Sequence, residues 1–380
     1  MDFKRYIHAH SDELLASLAA LVRIPSVEGE PEEGAPFGKE PARCLREMLA
    51  LCEKLGFPTE NMDDRVGWCE YGEGEEMVAV LGHLDVVPAG DGWTESEPFS
   101  GEIKNGRIYG RGTMDDKGPM VAAVYALAAL KESGFQPSRR IRVIFGTNEE
   151  TGCGDMAWYA SHGGEMPVMG FTPDGEYPLI NGEKGILNGT YTRTLHQTGD
   201  YILTRFEGGE ASNISPAYAV AEVKCPAEAA SKIAAEKVTV TPIDGGIRVE
   251  AEGVAVHGST PELGENAIGR LAMALAQLPF TGETGECLAF VSERLGMETH
   301  GESLGLAMRD GISGDLTMNV GVASFENEAL SLTFSVRYPV TLPYELVYPR
   351  LKRGFTLGGF TETEMTHAAA LYIPKDSELI

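Results

Sequence analysis

One histidine and six acids in this 380-residue chain have the types and spacing for metal chemistry: His83-x-Asp85, the pair Asp115-Asp116, the pair Glu149-Glu150, and Asp174. Imidazole nitrogens and carboxylate oxygens are the donors that divalent ions such as zinc accept. In an extended segment, positions 83 and 85 project to one side, where a carboxylate can hold the second ring nitrogen of a ligating imidazole. Glu149 and Glu150 must point differently if both are to serve one site. Taken singly, a His-x-Asp pair or an acidic pair is more often a solvated surface feature. Their co-occurrence beside glycines changes that reading, because carboxylates gathered in one place repel and a divalent cation is the usual remedy.

The elements that must bring these residues together are legible. Met77-Val-Ala-Val-Leu81 is a continuous apolar run, as expected of a strand buried on both faces, and it leads into Gly82-His-Leu-Asp85. Ile141–Phe145 leads into Gly146-Thr-Asn-Glu-Glu150, and Val168–Phe171 leads into Thr172-Pro-Asp174. Between the first two lies an Ala-rich stretch, Pro119 through Lys131, with proline in its first turn and Gly134 beyond its end, a buried helix. Strands alternating with helices predict an α/β fold with a mostly parallel sheet, and its ligand crevice lies beyond the carboxyl ends of the strands. Ser11 reads as the N-cap of an amphipathic helix carrying Leu14, Leu15, Leu18, Leu21 and Val22 and stopped by Pro25.

After Gly185 the texture changes. Leu187–Leu195, 237–243, 247–256 and Leu330–Tyr338 alternate polar with apolar, with a helix over 266–278 between them. This is an α+β module. The expected organisation is a metal-binding catalytic segment over 1–185, a second domain inserted over 186–371, and over 372–380 the start of a return to the first.

The balance of 31 basic against 57 acidic residues, a net charge of −26, repels phosphate backbones and anionic lipid, so neither nucleic acid nor a membrane is an expected partner. No apolar run approaches the ~20 residues of a membrane span, and the amino terminus has no secretion-signal layout. A cytoplasmic location is expected. Cys44, Cys52, Cys69, Cys153, Cys225 and Cys287 show no C-x-x-C pairing and read as ordinary reduced thiols, Cys153 as a packed one. Gly110-Arg-Gly-Thr-Met-Asp lacks the ending of a phosphate loop.

The motifs in their order, His83-x-Asp85, Gly-Arg-Gly-x-x-Asp115-Asp-Lys-Gly-Pro, Thr-Asn-Glu149-Glu150-Thr-Gly and Pro173-Asp174-Gly-Glu-Tyr-Pro-Leu-Ile-Asn-Gly-Glu-Lys-Gly185, resemble the co-catalytic zinc peptidases that include aminoacylases, carnosinases and carboxypeptidase G. The last segment is most similar to the peptidase V type of dipeptidase. The resemblance covers nearly the whole chain. It implies two Zn²⁺ ions, with Mn²⁺ or Co²⁺ as alternatives, His83 and Asp174 holding one, Glu150 the other and Asp115 bridging them. It implies that Glu149 is the general base of a metal-activated water, that Asp85 orients His83, and that the Asp115–Asp116 peptide bond is cis. In the inserted lid it implies that His257, in Val-His-Gly-Ser-Thr-Pro, hydrogen-bonds the oxyanion, and that Asn213 and Arg337 hold the substrate carboxylate. For Arg337 a surface ion pair is the plain alternative, and for His257 a turn histidine.

The expected function is hydrolysis of dipeptides, with a small peptide as partner and a monomer or homodimer as the assembly. The family supplies one further metal-ligand histidine from a glycine-rich loop, and none follows Ile380. A truncated, impaired relative that binds metal or a partner is therefore the alternative expectation, and an N-acyl amino acid deacylase another. His367 is a poor substitute for the absent ligand.

Overall fold

The structure, a computed structural model, describes Phe3–Ile380. The chain divides into two compact units, one ending at Leu179 and the other spanning Ile180–Glu378. The first contains, in chain order, α1 (Phe3–Ala9), α2 (Ser11–Val22), α3 (Lys39–Lys54), β1 (Thr59–Met62), β2 (Val66–Tyr71), β3 (Met77–His83), β4 (Glu102–Lys104), β5 (Arg107–Tyr109), α4 (Lys117–Glu132), β6 (Arg140–Gly146), α5 (Gly154–Ser161) and β7 (Met169–Phe171).

Its five-stranded sheet runs β1-β2-β6-β3-β7. The three strands expected from their apolar runs pair in parallel, β6 with β3 and β3 with β7. The sheet as a whole is mixed, because β1 and β2 join β6 as an antiparallel hairpin. The polar run Thr59-Glu-Asn-Met62 gave no sign of a strand. Side chains of β3 and β6 alternate between two apolar layers. Val80, Val143 and Phe145 face α2, α3 and α4, while Ala79 and Ile144 join Val66 and Tyr159 on the other side. Burial on both faces explains the continuous apolar runs, each large aliphatic side chain contributing roughly 1.5–3 kcal/mol. Because β3, β6 and β7 are parallel, their carboxyl ends emerge on one side of the sheet, carrying His83, Glu149-Glu150 and Asp174 there.

Two local expectations are corrected. Ser11 is no cap. The chain is already helical over α1, so the Ser11 hydroxyl donates to the His8 carbonyl and no side chain caps α2. Cys153 is exposed, on a left-handed turn (φ 56°) between β6 and α5.

The second unit is built on an eight-stranded sheet, antiparallel throughout. The predicted alternation is present: along Ala329–Tyr338, Leu330, Leu332, Phe334 and Val336 are buried in a core with Leu271, Leu288, Val291, Leu351 and Phe355 of the helices. On the other face, hydroxyls pair across strands at 2.9 Å, Thr190 with Thr333 and Thr192 with Ser331. The 266–278 helix forms over Ala267–Leu275, where the Asn266 side chain accepts from the amides of Ile268 and Gly269. Leu371–Tyr372 pairs with Gly182–Glu183, so the segments entering and leaving this unit lie side by side. Among the described residues, no helix is long and apolar enough to cross a membrane.

Candidate active site

The end of β3 fixes the centre of the site. His83 and Asp85 are each 1% exposed. The His83 ring places Nδ1 3.0 Å from the backbone carbonyl of Asp85 and 3.4 Å from its carboxylate, leaving Nε2 to face Asp115 Oδ1 at 2.9 Å and Asp174 Oδ2 at 3.5 Å. Both the carbonyl and the carboxylate of Asp85 therefore face Nδ1. The Asp85 carboxylate also accepts from two amides of the neighbouring loop, Glu149 N at 3.2 Å and Glu150 N at 3.1 Å. It ties the end of β3 to the end of β6.

Asp115 and Asp116 precede α4 and are joined by a cis peptide bond. Their side chains part: Asp115 is half-exposed and faces His83, whereas Asp116 is fully buried and its Oδ2 accepts from the His83 backbone N–H at 3.2 Å. Gly82 makes room for this, since a methyl there would collide with the Asp116 carboxylate and the Met120 thioether. Lys117, also fully buried, donates through Nζ to the carbonyls of Leu21 (3.1 Å) and Ile24 (2.8 Å). It pins the start of α4, and so Asp115, to the carboxyl end of α2, where orphan carbonyls favour a cation. A lysine beside two acids reads in sequence as their ion-pair partner, so nothing there signalled this role.

The electrostatics are those of crowded negative charge. Burial by itself disfavours the His83 imidazolium, but its contact with Asp85 and the charges of Asp116 and Asp174 outweigh that and lift it to about 10. Burial, and then the Asp174 charge, push Asp116 up to about 7. Glu149, Glu150 and Asp174 are raised as well, first by burial and then by one another and by Asp115. The buried Asp116 Oδ1 has no hydrogen-bond partner. Two donor sets, His83 with Glu149 and Asp174, and His83 with Asp115 and Glu150, bring their ligand atoms within 4.8 Å of one another. This set of an imidazole and four carboxylates, short of positive charge, fits divalent ions.

The predicted residues of the second unit are brought together in part. Asn213 and His257 are neighbours: Ile214 bridges to His257, and the Gly258 N–H donates to the Asn213 carbonyl at 2.7 Å. Both side chains are exposed, with His257 Nδ1 2.6 Å from Ser259 Oγ. The adjoining Ser212 carbonyl accepts from Asn319 Nδ2 at 2.9 Å, and Asn319 pairs across the sheet with Ser335, two residues before Arg337. Arg337 is half-buried, feels Glu183 only at Coulombic range and leaves Nε without a partner, and among the described residues it makes no ion pair. His367 is engaged elsewhere, with Nε2 2.7 Å from the Tyr338 hydroxyl and its ring against Tyr344.

The profile of peptidase family M20/M25/M40 matches residues 79–337, more than half of the chain, and that span includes His83, Asp85, Asp115, Glu149, Glu150 and Asp174. The chain belongs to this family. Among curated proteins, this M20-family chain is 37% identical over 352 residues to the Beta-Ala-Xaa dipeptidase of Lactobacillus delbrueckii subsp. lactis, covering 89% of this chain and 74% of that one. Among solved structures, it matches aminoacylhistidine dipeptidase from Vibrio alginolyticus with a TM-score of 0.55 at 14% identity, over 96% of this chain and 81% of that one. It also matches the dipeptidase Dug1p from Saccharomyces cerevisiae with a TM-score of 0.53 at 14% identity, over 99% and 81%. At these identities the structural likeness speaks for the M20 fold alone.

Proposed function

We propose that this M20-family peptidase is a metal-dependent dipeptidase, with Zn²⁺ as the resident ion and Mn²⁺ or Co²⁺ as functional substitutes. The observation that carries the reading is the convergence of His83, Asp115, Glu149, Glu150 and Asp174 at the ends of β3, β6 and β7 and the start of α4. Similarity to a Beta-Ala-Xaa dipeptidase supports the choice of a dipeptide substrate. His83 and Asp174 would hold one ion and Glu150 the other, with Asp115 shared. When bound, such ions polarise the scissile carbonyl and lower the proton affinity of the attacking water.

Glu149 then acts as general base. Its carboxylate takes the proton as the water oxygen bonds to the carbonyl carbon, and it delivers that proton to the amine nitrogen as the C–N bond breaks. Its exposed side chain and raised proton affinity support this role. The segment over 186–371 would serve as a lid to the catalytic segment over 1–185. Within it His257 would donate to the oxyanion, and Asn213 and Arg337 would bind the substrate carboxylate. The unpartnered Arg337 Nε supports that assignment. Six free thiols support a cytoplasmic location.

The geometry also allows Glu149 to be a ligand, since it stands in a donor set with His83 and Asp174. Glu149→Gln separates the two roles. As a base, its loss lowers turnover of dipeptides about 10²–10⁴-fold while metal stoichiometry by calorimetric titration stays at the wild-type value. Loss of an equivalent of metal would make it a ligand, and wild-type turnover would remove it from the mechanism. N-acetylated dipeptides are expected to be poor substrates beside free ones; the reverse preference would identify a deacylase.

A further inference from the structure

The turn from β6 to α5 carries both site glutamates, and its backbone is gripped by carboxylates from two directions. Four consecutive amides donate to two acids. Thr147 N and Asn148 N reach Asp155 Oδ2 at 2.7 and 2.9 Å, and Glu149 N and Glu150 N reach Asp85 Oδ1 and Oδ2 at 3.2 and 3.1 Å. Asp155 and Asp85 are each 1% exposed, and among the described residues no cation pairs with Asp155. Its remaining oxygen accepts from Met156 N at 2.7 Å. An acid in the first turn of a helix ordinarily serves its own helix end, but two of these three bonds run back to the residues leaving β6. Gly146 is needed for that approach, because a methyl there would collide with the Asp155 carboxylate.

We propose that Asp155 is a positioning residue for the reaction: by holding the Thr147 and Asn148 amides it sets the backbone course that Asp85 continues, and so aims the carboxylates of Glu149 and Glu150. This rests on the roles given above to those glutamates. Thr147 and Asn148 are buried, so their amides have no water to turn to if Asp155 is removed. A displacement of about 1 Å at the reacting groups can cost about 10²-fold in rate.

Three variants of the full chain test it. Thr147 and Asn148 donate to the same oxygen, so Asp155→Asn keeps both bonds with its amide carbonyl and gives up only the local one from Met156 N, and kcat and Co²⁺ affinity stay within about threefold of wild type. Asp155→Ala orphans both amides, and Asp155→Glu moves the acceptor by one methylene. In each, kcat falls about 10–100-fold at nearly constant KM, and Co²⁺ affinity, read from the ion's visible absorbance without substrate, falls with it. A folded Ala or Glu variant with wild-type kcat and Co²⁺ affinity overturns the proposal, as does an Asn variant as impaired as the other two. If Ala does not fold, the Glu variant decides. The Co²⁺ titration needs no substrate, so a wild-type protein inactive on dipeptides defeats the functional reading separately.

Discussion

Stripping the metal should destabilise one part of this protein by an amount that reports how many ions it holds. Every donor of both sets, His83, Asp115, Glu149, Glu150 and Asp174, lies in the unit that ends at Leu179. An ion that binds only the folded state at 100 times its Kd adds about 2.7 kcal/mol. For a unit of this size each kcal/mol moves the melting midpoint by about 2–4 °C, so one ion is worth about 5–11 °C and two independent ions about 11–22 °C. The assay is supplied by the sequence, since Trp68, Trp93 and Trp158, all three tryptophans, belong to the same unit and their fluorescence follows its unfolding. Protein treated with a chelator is expected to melt lower than protein titrated with Zn²⁺, by the larger interval if both sets fill. His83 and Asp174 hold the same ion in the assignment above, so His83→Ala should keep about half the shift, that of the ion at Asp115 and Glu150. Asp174→Ala, which leaves only the set containing Asp115 and Glu150, should keep about half the shift. Wild-type midpoints within 1 °C of each other at saturating Zn²⁺ would refute the metal site.

The second unit offers two stability tests. Asp310 accepts from Ile312 N (2.9 Å), Gly314 N (3.2 Å), Thr341 N (3.1 Å) and Thr341 Oγ1 (2.9 Å), and these bonds, with those from Ser313, outweigh its partial burial and hold its carboxyl well below the usual range. A depressed acid stabilises above its unfolded value and loses that contribution as pH falls, so Asp310→Ala should cost about 1 kcal/mol at pH 7 in urea unfolding, with the difference shrinking below about pH 4. An equal difference at pH 3 and pH 7 would contradict this. Asn266→Ala removes the cap of the Ala267–Leu275 helix and a 2.8 Å bond from Nδ2 to the Val320 carbonyl. A loss of about 1–2 kcal/mol is expected, and a midpoint change under 1 °C would show that the cap is idle.

The elements that position the site were legible because their patterns are local. The run 77–81 became β3, 141–145 became β6, and 119–131 became the interior of α4. Burial on both faces leaves few polar positions in such strands, Arg142 alone interrupting the second run, which is a signal a single sequence carries. Thr59–Met62 and the short hairpin of β4 and β5 carried none, because their pairing depends on a partner elsewhere in the chain. Ser11 misled for a related reason: its type suits a cap, but a preceding helix already satisfied that end. Asp155 stands in the first turn of α5, where nothing local distinguishes it from any helix-start acid. Only the packing of α5 beneath Gly146 turns it toward the amides of 147 and 148.

By itself, the sequence determined which donors exist, their order along the chain, and that parallel strands would release them on one side of a sheet. Side-chain chemistry and apolar period are properties of a residue and its near neighbours, so they survive in one dimension. The tertiary structure alone decided which atoms meet. It gave the Asp85 carboxylate the Glu149 and Glu150 amides as donors, buried Asp116 under the His83 backbone, and sent Lys117 to the end of α2. Each of those is a hydrogen bond between residues more than thirty positions apart, and a partner at that distance is chosen by how the layers pack.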